Sequence, residues 1–328
     1  MAGRRVLVTG AGGSIGREVS RQLAAAGPAE LVLLGHGENS ILETLLELEL
    51  HHPAVPLRPV IADVRDGRLL GEIFRAHRPE WVLHVAGHKH VPLMESHVAE
   101  AITTNVIGTR RVLAAAEASG TVGFALVSTD KAVEPVSILG ASKRAAESLV
   151  RTAAPRLAGS AVVVRFGNVL GSRGSVVPLF ERQIRAGGPV TLTDRRMRRY
   201  FMTIPEAAGL TLAAVAIGGR GTTFILDMGP PVAVAGIADR LIARAGGGIE
   251  VVEVGIRPGE KLDEILMAGG IGLHPTAVAG VLQASEPPDD ADLEERVTEL
   301  ERAIAAGAAP GRLREALFQL ATHAAERP

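Results

Sequence analysis

Residues 4–16 read R-R-V-L-V-T-G-A-G-G-S-I-G, an apolar run that ends in a glycine-rich turn. Apolar residues at helical spacing follow, beginning with Val19 and Leu23. A strand, a glycine turn and a helix in this order bind phosphate, because glycines let the backbone approach a pyrophosphate and the helix N-terminus supplies amide donors. The stretch therefore predicts an α/β unit that binds a dinucleotide through Gly10, Gly13, Ser14, Ile15 and Gly16.

The composition narrows the class of protein. The chain has 328 residues, 47% of them hydrophobic, and a formal net charge of −1. That charge argues against nucleic-acid binding, and the absence of cysteine excludes disulfides and thiolate metal sites. We find no signal peptide, and no apolar run approaches the ~20 residues of a membrane span. We therefore expect a soluble cytoplasmic protein without a nucleic-acid or membrane partner.

Apolar runs recur along the first half of the chain and alternate with helical segments. They predict strands at residues 31–34, 60–62, 81–85, 124–127 and 162–166. This alternation favours a parallel sheet covered on both faces, so we expect a doubly wound Rossmann-type α/β fold. The alternation loosens after residue 170. We predict a dinucleotide-binding domain over 1–170, a smaller α/β substrate domain over 171–285 and a helical tail over 286–328.

Two strand ends bear on the choice of dinucleotide. The second predicted strand runs into Gly35, where such folds often carry an acid that holds the ribose diol of NAD. Either Glu38 holds the ribose instead, or the missing acid leaves room for a 2′-phosphate, so NAD and NADP both remain open. After the third strand, Asp63 and Val64 are placed to cap the adenine, with Asp63 as the N-cap of the next helix an equal alternative.

A second stretch carries candidate chemistry: S-T-D-K-A-V-E-P-V-S-I-L-G-A-S-K, residues 128–143. Thr129, Asp130 and Lys131 follow an apolar strand, at the sheet edge where open α/β folds bind ligands. Lys143 follows on a helix predicted over 138–153. Taken alone, Lys143 is an ordinary solvated lysine. Together these residues bring a hydroxyl, a carboxylate and two ammonium groups to one place, which favours a catalytic site.

The fourth strand leads through Ala86, beside the expected cofactor, into a basic cluster of His88, Lys89 and His90. Three basic side chains at a strand end suit an anionic ligand. Two histidines separated by one residue make a poor chelate, so we expect no metal. A long helix predicted over 96–118 carries Asn105, which either packs at a kink or belongs to the active site.

The loop after the sixth strand is a candidate for binding a second phosphate group. It is rich in glycine and carries Asn168, Arg173 and Ser175. A purely structural loop is the alternative. Further along, a basic run over 194–201 contains Arg199, which we expect to pair with a diphosphate.

A last motif, R-P-G-E-K, occupies residues 257–261. Proline is favoured at the first position of a helix, so we expect a helix to open here. Arg257 and Glu260 would then be free to meet a ligand.

These motifs, taken in order, resemble the nucleotide-sugar 4,6-dehydratases of the capsule and flagellin-glycosylation type. That family lies in the extended short-chain dehydrogenase/reductase superfamily. The resemblance runs from residue 10 to about residue 265 and rests on G-A-G-G-S-I-G, H-V-A-G-H-K-H-V-P-L-M-E, T-N-V-I-G-T, S-T-D-K-A-V-E-P, G-A-S-K-R, R-F-G-N-V-L-G-S-R-G-S-V-V-P, R-Y-F-M-T-I-P-E-A and R-P-G-E-K-L.

The resemblance implies a reaction without net oxidation. A tightly bound NAD or NADP takes hydride from C4 of a UDP-sugar, typically UDP-N-acetylglucosamine, and returns it to C6 after water is lost. By the same resemblance Asp130 protonates the leaving 6-hydroxyl, Lys131 removes the C5 proton and Thr129 binds the 4-hydroxyl. Lys143 faces the nicotinamide and Asn105 belongs to the active-site network. The superfamily usually dimerises through helices matching 96–118 and 138–153, so we expect a homodimer or higher homo-oligomer.

One position departs from the superfamily pattern. Leu139 stands where a tyrosine usually precedes the lysine by four residues, and leucine cannot move a proton. The C5-retaining branch is similar, with an apolar methionine there. We therefore expect a retaining UDP-N-acetylglucosamine 4,6-dehydratase. A 5-inverting 4,6-dehydratase, a 5,6-dehydratase, a 4-epimerase and a non-catalytic dinucleotide-sensing protein are the alternatives.

Overall fold

The structure is a computed structural model that describes residues 1–269 and 271–322. The last six positions of the predicted tail lie outside the described residues. Within this part of the chain the strands are β1 (Arg5–Thr9), β2 (Glu30–Gly35), β3 (Leu57–Ile61), β4 (Trp81–His84), β5 (Gly123–Thr129), β6 (Ser160–Phe166), β7 (Asn168–Leu170), β8 (Val190–Leu192), β9 (Arg198–Arg199), β10 (Phe201–Thr203), β11 (Arg220–Leu226), β12 (Val232–Ala233), β13 (Val251–Glu253), β14 (Leu273–Pro275) and β15 (Val281–Ala284).

The helices connect these strands and extend beyond the last of them. They are α1 (Ser14–Ala25), α2 (Glu38–His51), α3 (Gly67–His77), α4 (Val91–Ser96), α5 (Val98–Ala101), α6 (Gly108–Ser119), α7 (Ile138–Ala153), α8 (Val176–Arg185), α9 (Ile204–Ile217), α10 (Val234–Arg244), α11 (Leu293–Ala305) and α12 (Pro310–Thr322).

A nine-stranded sheet organises the molecule, in the order β14-β15-β11-β6-β5-β4-β1-β2-β3. The seven strands from β3 to β11 run parallel, while β15 is antiparallel to both of its neighbours. The order β3-β2-β1-β4-β5-β6 is that of a doubly wound Rossmann fold, which confirms the predicted fold class. Because β1 pairs with β4, the chain reverses its direction of winding between these strands, and such a switch point opens a crevice at their carboxyl ends.

Both faces of the sheet are buried. Successive residues of β1 alternate between two cores, with Leu7 packed on one face and Val8 on the other. The first core includes residues of α3, α6 and α7, and the second includes residues of α1 and α9. Parallel strands that are covered on both sides are near-continuous apolar runs, which is why their sequences were recognisable.

A third, smaller core lies outside the sheet, between α8, α10 and the paired strands β8 and β13. Phe180, Val190 and Val234 are among its residues, and two further short strand pairs outside the sheet are β7 with β10 and β9 with β12. The predicted boundary of this unit at 171 and 285 needs correction. β11, β14 and β15 fall inside that range but belong to the large sheet, so the smaller unit is discontinuous in sequence.

The helix α7 has the bounds predicted for it. Ser137 caps its N-terminus by accepting a hydrogen bond from the amide of Gly140 at 3.0 Å. The helix predicted over 96–118 is wrong as a single element. His97 leaves the helical conformation, and residues 102–107 form a π-helical turn between α5 and α6. Such turns often occur at functional sites, and this one contains Asn105.

The helices α11 and α12 lie on the sheet face that carries α6 and α7. Their buried residues Leu293, Val297, Leu313 and Leu317 join the first core. This is the surface through which a dimer was expected, and here the chain covers it with its own C-terminal helices. Among the described residues, no helix has both the length and the apolar character that a membrane crossing requires.

Candidate active site

The glycine-rich loop between β1 and α1 packs closely against the backbone at Ala86. Gly10 has a φ of 69°, and a Cβ there would lie 2.7 Å from the amide nitrogen of Ala86, so a larger residue cannot fit. The helix α1 begins at Ser14 with no acidic residue in its first turn. Free amide groups at such a helix end form a ready site for a pyrophosphate.

A cleft of about 690 Å³ opens beside this loop, between the carboxyl ends of the strands and the smaller unit. Most of the predicted site residues line it: Gly10, Gly13, Ser14, Ile15, Gly16, His88, Lys89, His90, Thr129, Lys131, Lys143, Asn168, Arg173, Ser175, Arg199, Arg257 and Glu260. Glu38, Asp63, Val64, Ala86, Asn105 and Asp130 are not part of its lining.

The stretch after β5 forms a compact acid–amine group. Lys131 Nζ donates a hydrogen bond to Asp130 Oδ1 at 2.9 Å and another to Asn168 Oδ1 at 3.3 Å. Thr129 Oγ1 also donates to Asp130 Oδ1 at 2.9 Å. Asp130 is fully buried, whereas Thr129 and Lys131 line the cleft. The carboxyl group therefore lies beneath a hydroxyl and an amine that face the cleft.

Lys143 approaches the same cleft from α7. Its Nζ donates to the backbone carbonyl of Val127 at 2.6 Å. Burial lowers the pKa of Lys143 to about 8, although the nearby Glu147 carboxylate acts in the opposite direction. Leu139 lies one turn earlier on α7 and also lines the cleft, so no proton-carrying side chain stands at the position of the usual tyrosine.

Asn105 joins three elements around the cleft. Its Oδ1 accepts a hydrogen bond from the His88 amide at 2.8 Å, and its Nδ2 donates to Ser142 Oγ at 2.9 Å. The backbone carbonyl of Asn105 accepts a bond from Thr109 at 2.7 Å. Asn105 therefore holds the loop after β4 against α7, on which Lys143 is carried.

His84 is a structural link that sequence reasoning did not identify. Its ring lies between Thr9 Oγ1 at 2.7 Å and Thr109 Oγ1 at 3.0 Å. Burial, together with the charge of Lys143, lowers the pKa of His84 to about 3, so the ring is neutral. At the last position of a strand it reads as a packing residue, and nothing in the sequence distinguishes it.

His88, Lys89 and His90 all line the cleft, but His88 and Lys89 also contact protein groups. His88 Nε2 lies 3.0 Å from Glu100 Oε1, and Lys89 Nζ donates to Ser172 Oγ at 3.3 Å. Burial and the neighbouring Arg173 lower the pKa of Lys89. Lys89 therefore joins the cofactor side of the cleft to the loop of the smaller unit.

The loop over residues 171–175 contacts the glycine-rich loop. The Arg173 amide donates to Ser14 Oγ at 3.1 Å, and its guanidinium group contacts the carbonyl of Gly12. Ser175 is the N-cap residue of α8, and its buried hydroxyl has no protein hydrogen-bond partner. A free hydroxyl at a helix N-terminus beside an arginine suits a phosphate oxygen.

Arg199 lies in the cleft wall, but its donors are engaged by the protein. They reach the carbonyls of Arg198, Leu262 and Lys261, each at 2.7 Å. The residue thus fixes the segment after R-P-G-E-K, and pairing with a diphosphate stays a prediction.

The R-P-G-E-K motif forms a turn, which corrects the expected helix. Gly259 has a φ of 80°, and the Glu260 amide donates to the Arg257 carbonyl at 3.1 Å. This is the bonding of a tight turn with glycine at the position that needs a positive φ. Arg257 and Glu260 both reach the cleft from this turn.

The residues expected at the adenine and ribose are not in the lining of the cleft, and their contact with a cofactor stays a prediction. Asp63 pairs with Arg65 at 2.6 Å, and the alternative role of Asp63 as a helix cap is wrong, because Asp66 caps α3. Val64 is buried, and Glu38 is exposed in the first turn of α2.

All four lysines of the chain lie at this site. Lys89, Lys131 and Lys143 line the cleft. Lys261 Nζ donates to the carbonyls of Val133 and Glu134, just after the acid–amine group, at 3.0 Å and 2.7 Å.

Comparisons with known proteins agree with this geometry. Residues 6–285 match the family described as polysaccharide biosynthesis protein. The probable polysaccharide biosynthesis protein EpsC of Bacillus subtilis is 49% identical over 81% of this chain, and the capsular polysaccharide biosynthesis protein CapD of Staphylococcus aureus is 47% identical over 85%. The match covers 45% of EpsC and 47% of CapD, so the chain spans about half the length of these relatives.

Two further relatives are matched over most of their length. A UDP-glucose 4-epimerase of Rickettsia rickettsii is 34% identical, and a UDP-N-acetylglucosamine 4,6-dehydratase (inverting) of Campylobacter jejuni is 33% identical. Each match covers 81% of this chain and 78% of the relative.

Solved structures show the same architecture. Pen from Bacillus thuringiensis is 32% identical with a TM-score of 0.80, over 86% of this chain and 88% of Pen. DesIV, a dTDP-glucose 4,6-dehydratase from Streptomyces venezuelae solved with NAD, is 26% identical with a TM-score of 0.70, over 81% and 88%. The chain therefore belongs to the polysaccharide biosynthesis protein family, and its fold is that of the nucleotide-sugar dehydratases and epimerases.

Proposed function

We propose that the protein is an NAD-dependent UDP-N-acetylglucosamine 4,6-dehydratase that retains the configuration at C5. The observation that carries the proposal is the bonded pair of Lys131 and Asp130 at the cleft, with Lys143 nearby. The inverting dehydratase relative and the NAD-bound DesIV structure support the reaction class and the cofactor. The apolar Leu139 supports the retaining branch.

The glycine-rich loop fits the pyrophosphate of a dinucleotide, because any side chain at Gly10 would collide with the backbone at Ala86. The segment after β2, residues 35–40, contains no arginine or lysine, and a 2′-phosphate needs such a cation. This favours NAD over NADP. When bound, the nicotinamide supplies the hydride acceptor for C4 and the hydride donor for C6.

The protein groups then move two protons. Lys131, as the free amine, takes the proton from C5 and becomes an ammonium group. A proton from Asp130 joins the 6-hydroxyl, the C6–O bond breaks and water leaves. The Thr129 hydroxyl, 2.9 Å from Asp130 and open to the cleft, can relay that proton because a hydroxyl both donates and accepts.

The same pair restores itself after each turnover. Lys131 then carries the proton that came from C5, and Asp130 has lost one. The hydrogen bond of 2.9 Å between them lets the ammonium return that proton to the carboxylate. The 4-hydroxyl proton released when C4 is oxidised goes to solvent, and C5 takes up a solvent proton after hydride returns to C6, so the four proton movements balance and deuterium enters at C5 in heavy water.

Residues of the smaller unit are placed for the nucleotide. Ser175 is the N-cap residue of α8 with a free hydroxyl, and Arg173, two residues before it, contacts the glycine-rich loop; together they suit the diphosphate. His88, Lys89, His90 and Asn168 complete the wall on the strand side, and Arg257 and Glu260 complete it on the turn side. We propose these groups as the UDP-sugar site.

A UDP-sugar 4-epimerase is the second candidate, favoured by the Rickettsia relative. Epimerisation needs proton transfer at the 4-hydroxyl alone. A 4-epimerase would therefore not use the buried carboxyl group of Asp130, and Leu139 cannot act as its base. The acid–amine pair therefore favours dehydration.

Incubation with UDP-N-acetylglucosamine in heavy water, followed by proton NMR, tests the proposal. We expect a 4-keto-6-deoxy product with deuterium at C5 and the gluco configuration. Lys131→Met should reduce product formation by a factor of about 10² to 10⁴, the range for loss of a general base. Glu253→Gln, on an exposed carboxylate, is the control.

Three results would contradict the proposal. An N-acetylgalactosamine product with no deuterium would identify the epimerase. An inverted C5 would identify the inverting dehydratase. Unchanged turnover in Lys131→Met would rule out Lys131 as the base that deprotonates C5.

A further inference from the structure

Glu264 is a second carboxyl group at the catalytic amine. It is only 6% exposed, and it lines the cleft. Its Oε1 lies 3.9 Å from Lys131 Nζ, which is itself 2.9 Å from Asp130 Oδ1. Lys131 therefore stands between two buried carboxyl groups, and the reaction described above uses one of them.

The segment that carries Glu264 is bonded to two other parts of the molecule. Arg199 donates to the carbonyls of Lys261 and Leu262, which ties the segment to β9. Lys261 in turn donates to the carbonyls of Val133 and Glu134, which ties it to the catalytic stretch. These tethers hold Glu264 beside Lys131.

The surroundings of Glu264 favour its uncharged form. Its Oε2 is buried without a hydrogen-bond partner; Asp130 Oδ2 is in the same condition, but the other oxygen of Asp130 accepts hydrogen bonds from Thr129 and Lys131. An ionised carboxylate oxygen left unpaired in the interior is strongly unfavourable, whereas protonation removes the charge. Burial raises the pKa of Glu264; Lys131, Arg199 and Lys261 lower it, and the Asp130 carboxylate raises it further, with a net rise.

We propose that Glu264 is a positioning residue for the catalytic amine, held as a neutral carboxylic acid so that Lys131 exchanges its proton with Asp130 alone. This rests on the proposed dehydratase function. With Glu264 neutral, one proton is shared between Lys131 and Asp130, and the amine can become free to act on C5. When Glu264 ionises, two anions hold the ammonium and the base is lost.

The substitution Glu264→Gln separates this role from others, since glutamine imitates the protonated acid. We expect turnover within about threefold of wild type at neutral pH, because general-base catalysis is retained. Wild-type turnover and C5 deuteration should decline as pH rises through the ionisation of Glu264. In Glu264→Gln that decline should move to higher pH. C4 oxidation, followed as reduced nicotinamide in a single turnover, should be unchanged.

Asp263→Asn is the matched control, because Asp263 is the exposed neighbouring carboxylate. It should keep the wild-type pH profile. Any titration of Lys143 is common to all three proteins, so the comparison isolates Glu264.

Infrared spectroscopy gives a second measurement that needs no turnover. A carboxylic-acid carbonyl band assignable to Glu264 should be present in the wild type and in Asp263→Asn at neutral pH, and Glu264→Gln should lack that band while keeping any band that arises from Asp130.

Three results would overturn the proposal: a folded Glu264→Gln protein with less than about a tenth of wild-type turnover, an unchanged pH profile, or no acid band assignable to Glu264. If the wild type itself does not dehydrate UDP-N-acetylglucosamine, the proposed function fails, and the infrared result still reports the protonation of Glu264.

Discussion

The burial of the Lys143 amine lowers the free energy of unfolding. Its amine is buried on α7 and donates to one backbone carbonyl. Taking an ammonium group out of water is unfavourable, and burial accordingly lowers its pKa from the ordinary 10.5 to about 8. Lys143 therefore weakens the fold at a position that lines the cleft, which fits the catalytic role proposed for it.

Replacement of Lys143 by methionine should stabilise the cofactor-free protein. The unfolded chain binds this proton more tightly than the folded one, so the penalty is complete below pH 8 and disappears as pH rises towards 10.5. We expect Lys143→Met to raise the free energy of unfolding by about 1–3 kcal/mol at pH 7. The gain should shrink between pH 8 and 10.5. Urea unfolding at several pH values measures both effects, and a loss of stability at pH 7 would contradict this account.

Some site residues were recognisable because of where they follow a strand. Thr129 ends β5, Lys131 follows it by two residues and Asn168 follows β6, so the sheet brings them to one edge. Glu264 was not recognisable. It lies in an irregular segment that is placed by distant tethers from Arg199 and Lys261, and no local pattern records such contacts.

At the scale of elements, the helical pair α11 and α12 is coupled to α7, the helix that carries Lys143. Arg314 of α12 pairs with Glu95, and Glu95 Oε1 accepts a hydrogen bond from the Ile138 amide, the first residue of α7, at 2.7 Å. The sequence predicted a helical tail over 286–328. It could not say which surface the tail covers, because amphipathic spacing is the same for any partner.

An aspartate in place of Leu317 tests this packing. Leu317 is fully buried on α12, so Leu317→Asp places a charge in the first core and should lower the free energy of unfolding by at least about 3 kcal/mol. Where α12 detaches, the apolar faces of α6 and α7 become exposed, and we expect self-association in size-exclusion chromatography with light scattering. Gln319→Asp, on an exposed position of the same helix, is the control. Equal behaviour of the two variants would show that α12 is not needed to cover this surface.

At the scale of the whole molecule, a buried ion cluster joins the tail to the sheet. Glu147 of α7 pairs with Arg165 of β6 at 2.5 Å, and Arg165 also lies 2.9 Å from Glu286. Next to them Arg151 pairs with Asp289 at 2.6 Å. Burial alone would raise the pKa of Glu147, but the surrounding guanidinium groups outweigh it and lower the pKa to about 2.

Loss of the central charge should destabilise the entire fold. Glu147→Gln leaves Arg165 with part of its charge uncompensated, which costs about 3–5 kcal/mol for a buried pair. The folded pKa lies below the ordinary 4.5, so the contribution is complete above pH 4.5 and is lost as pH falls towards 2. The difference between variant and wild type should therefore narrow over that range in urea unfolding. A difference that does not change with pH would contradict the assignment to this ionisation.

The global arrangement was the part least accessible from the sequence. The order of the central strands followed from the alternation of strands and helices. The discontinuity of the smaller unit could not be predicted in this way, because β11 and β15 return to the large sheet after the chain has left it. The homodimer expected through α6 and α7 likewise depended on a surface that the tail occupies.

The confinement of lysine to one region has a practical consequence. Every other cationic side chain in the sequence is an arginine or a histidine. Protein produced with lysine that is isotopically enriched at Cε would give four NMR signals. Three arise from lysines that line the cleft, and the fourth arises from Lys261, which donates to the carbonyls of Val133 and Glu134. The spectrum of a 34.2 kDa protein is thereby reduced to four amines at one region, and one titration would follow their protonation without overlapping signals from other lysines.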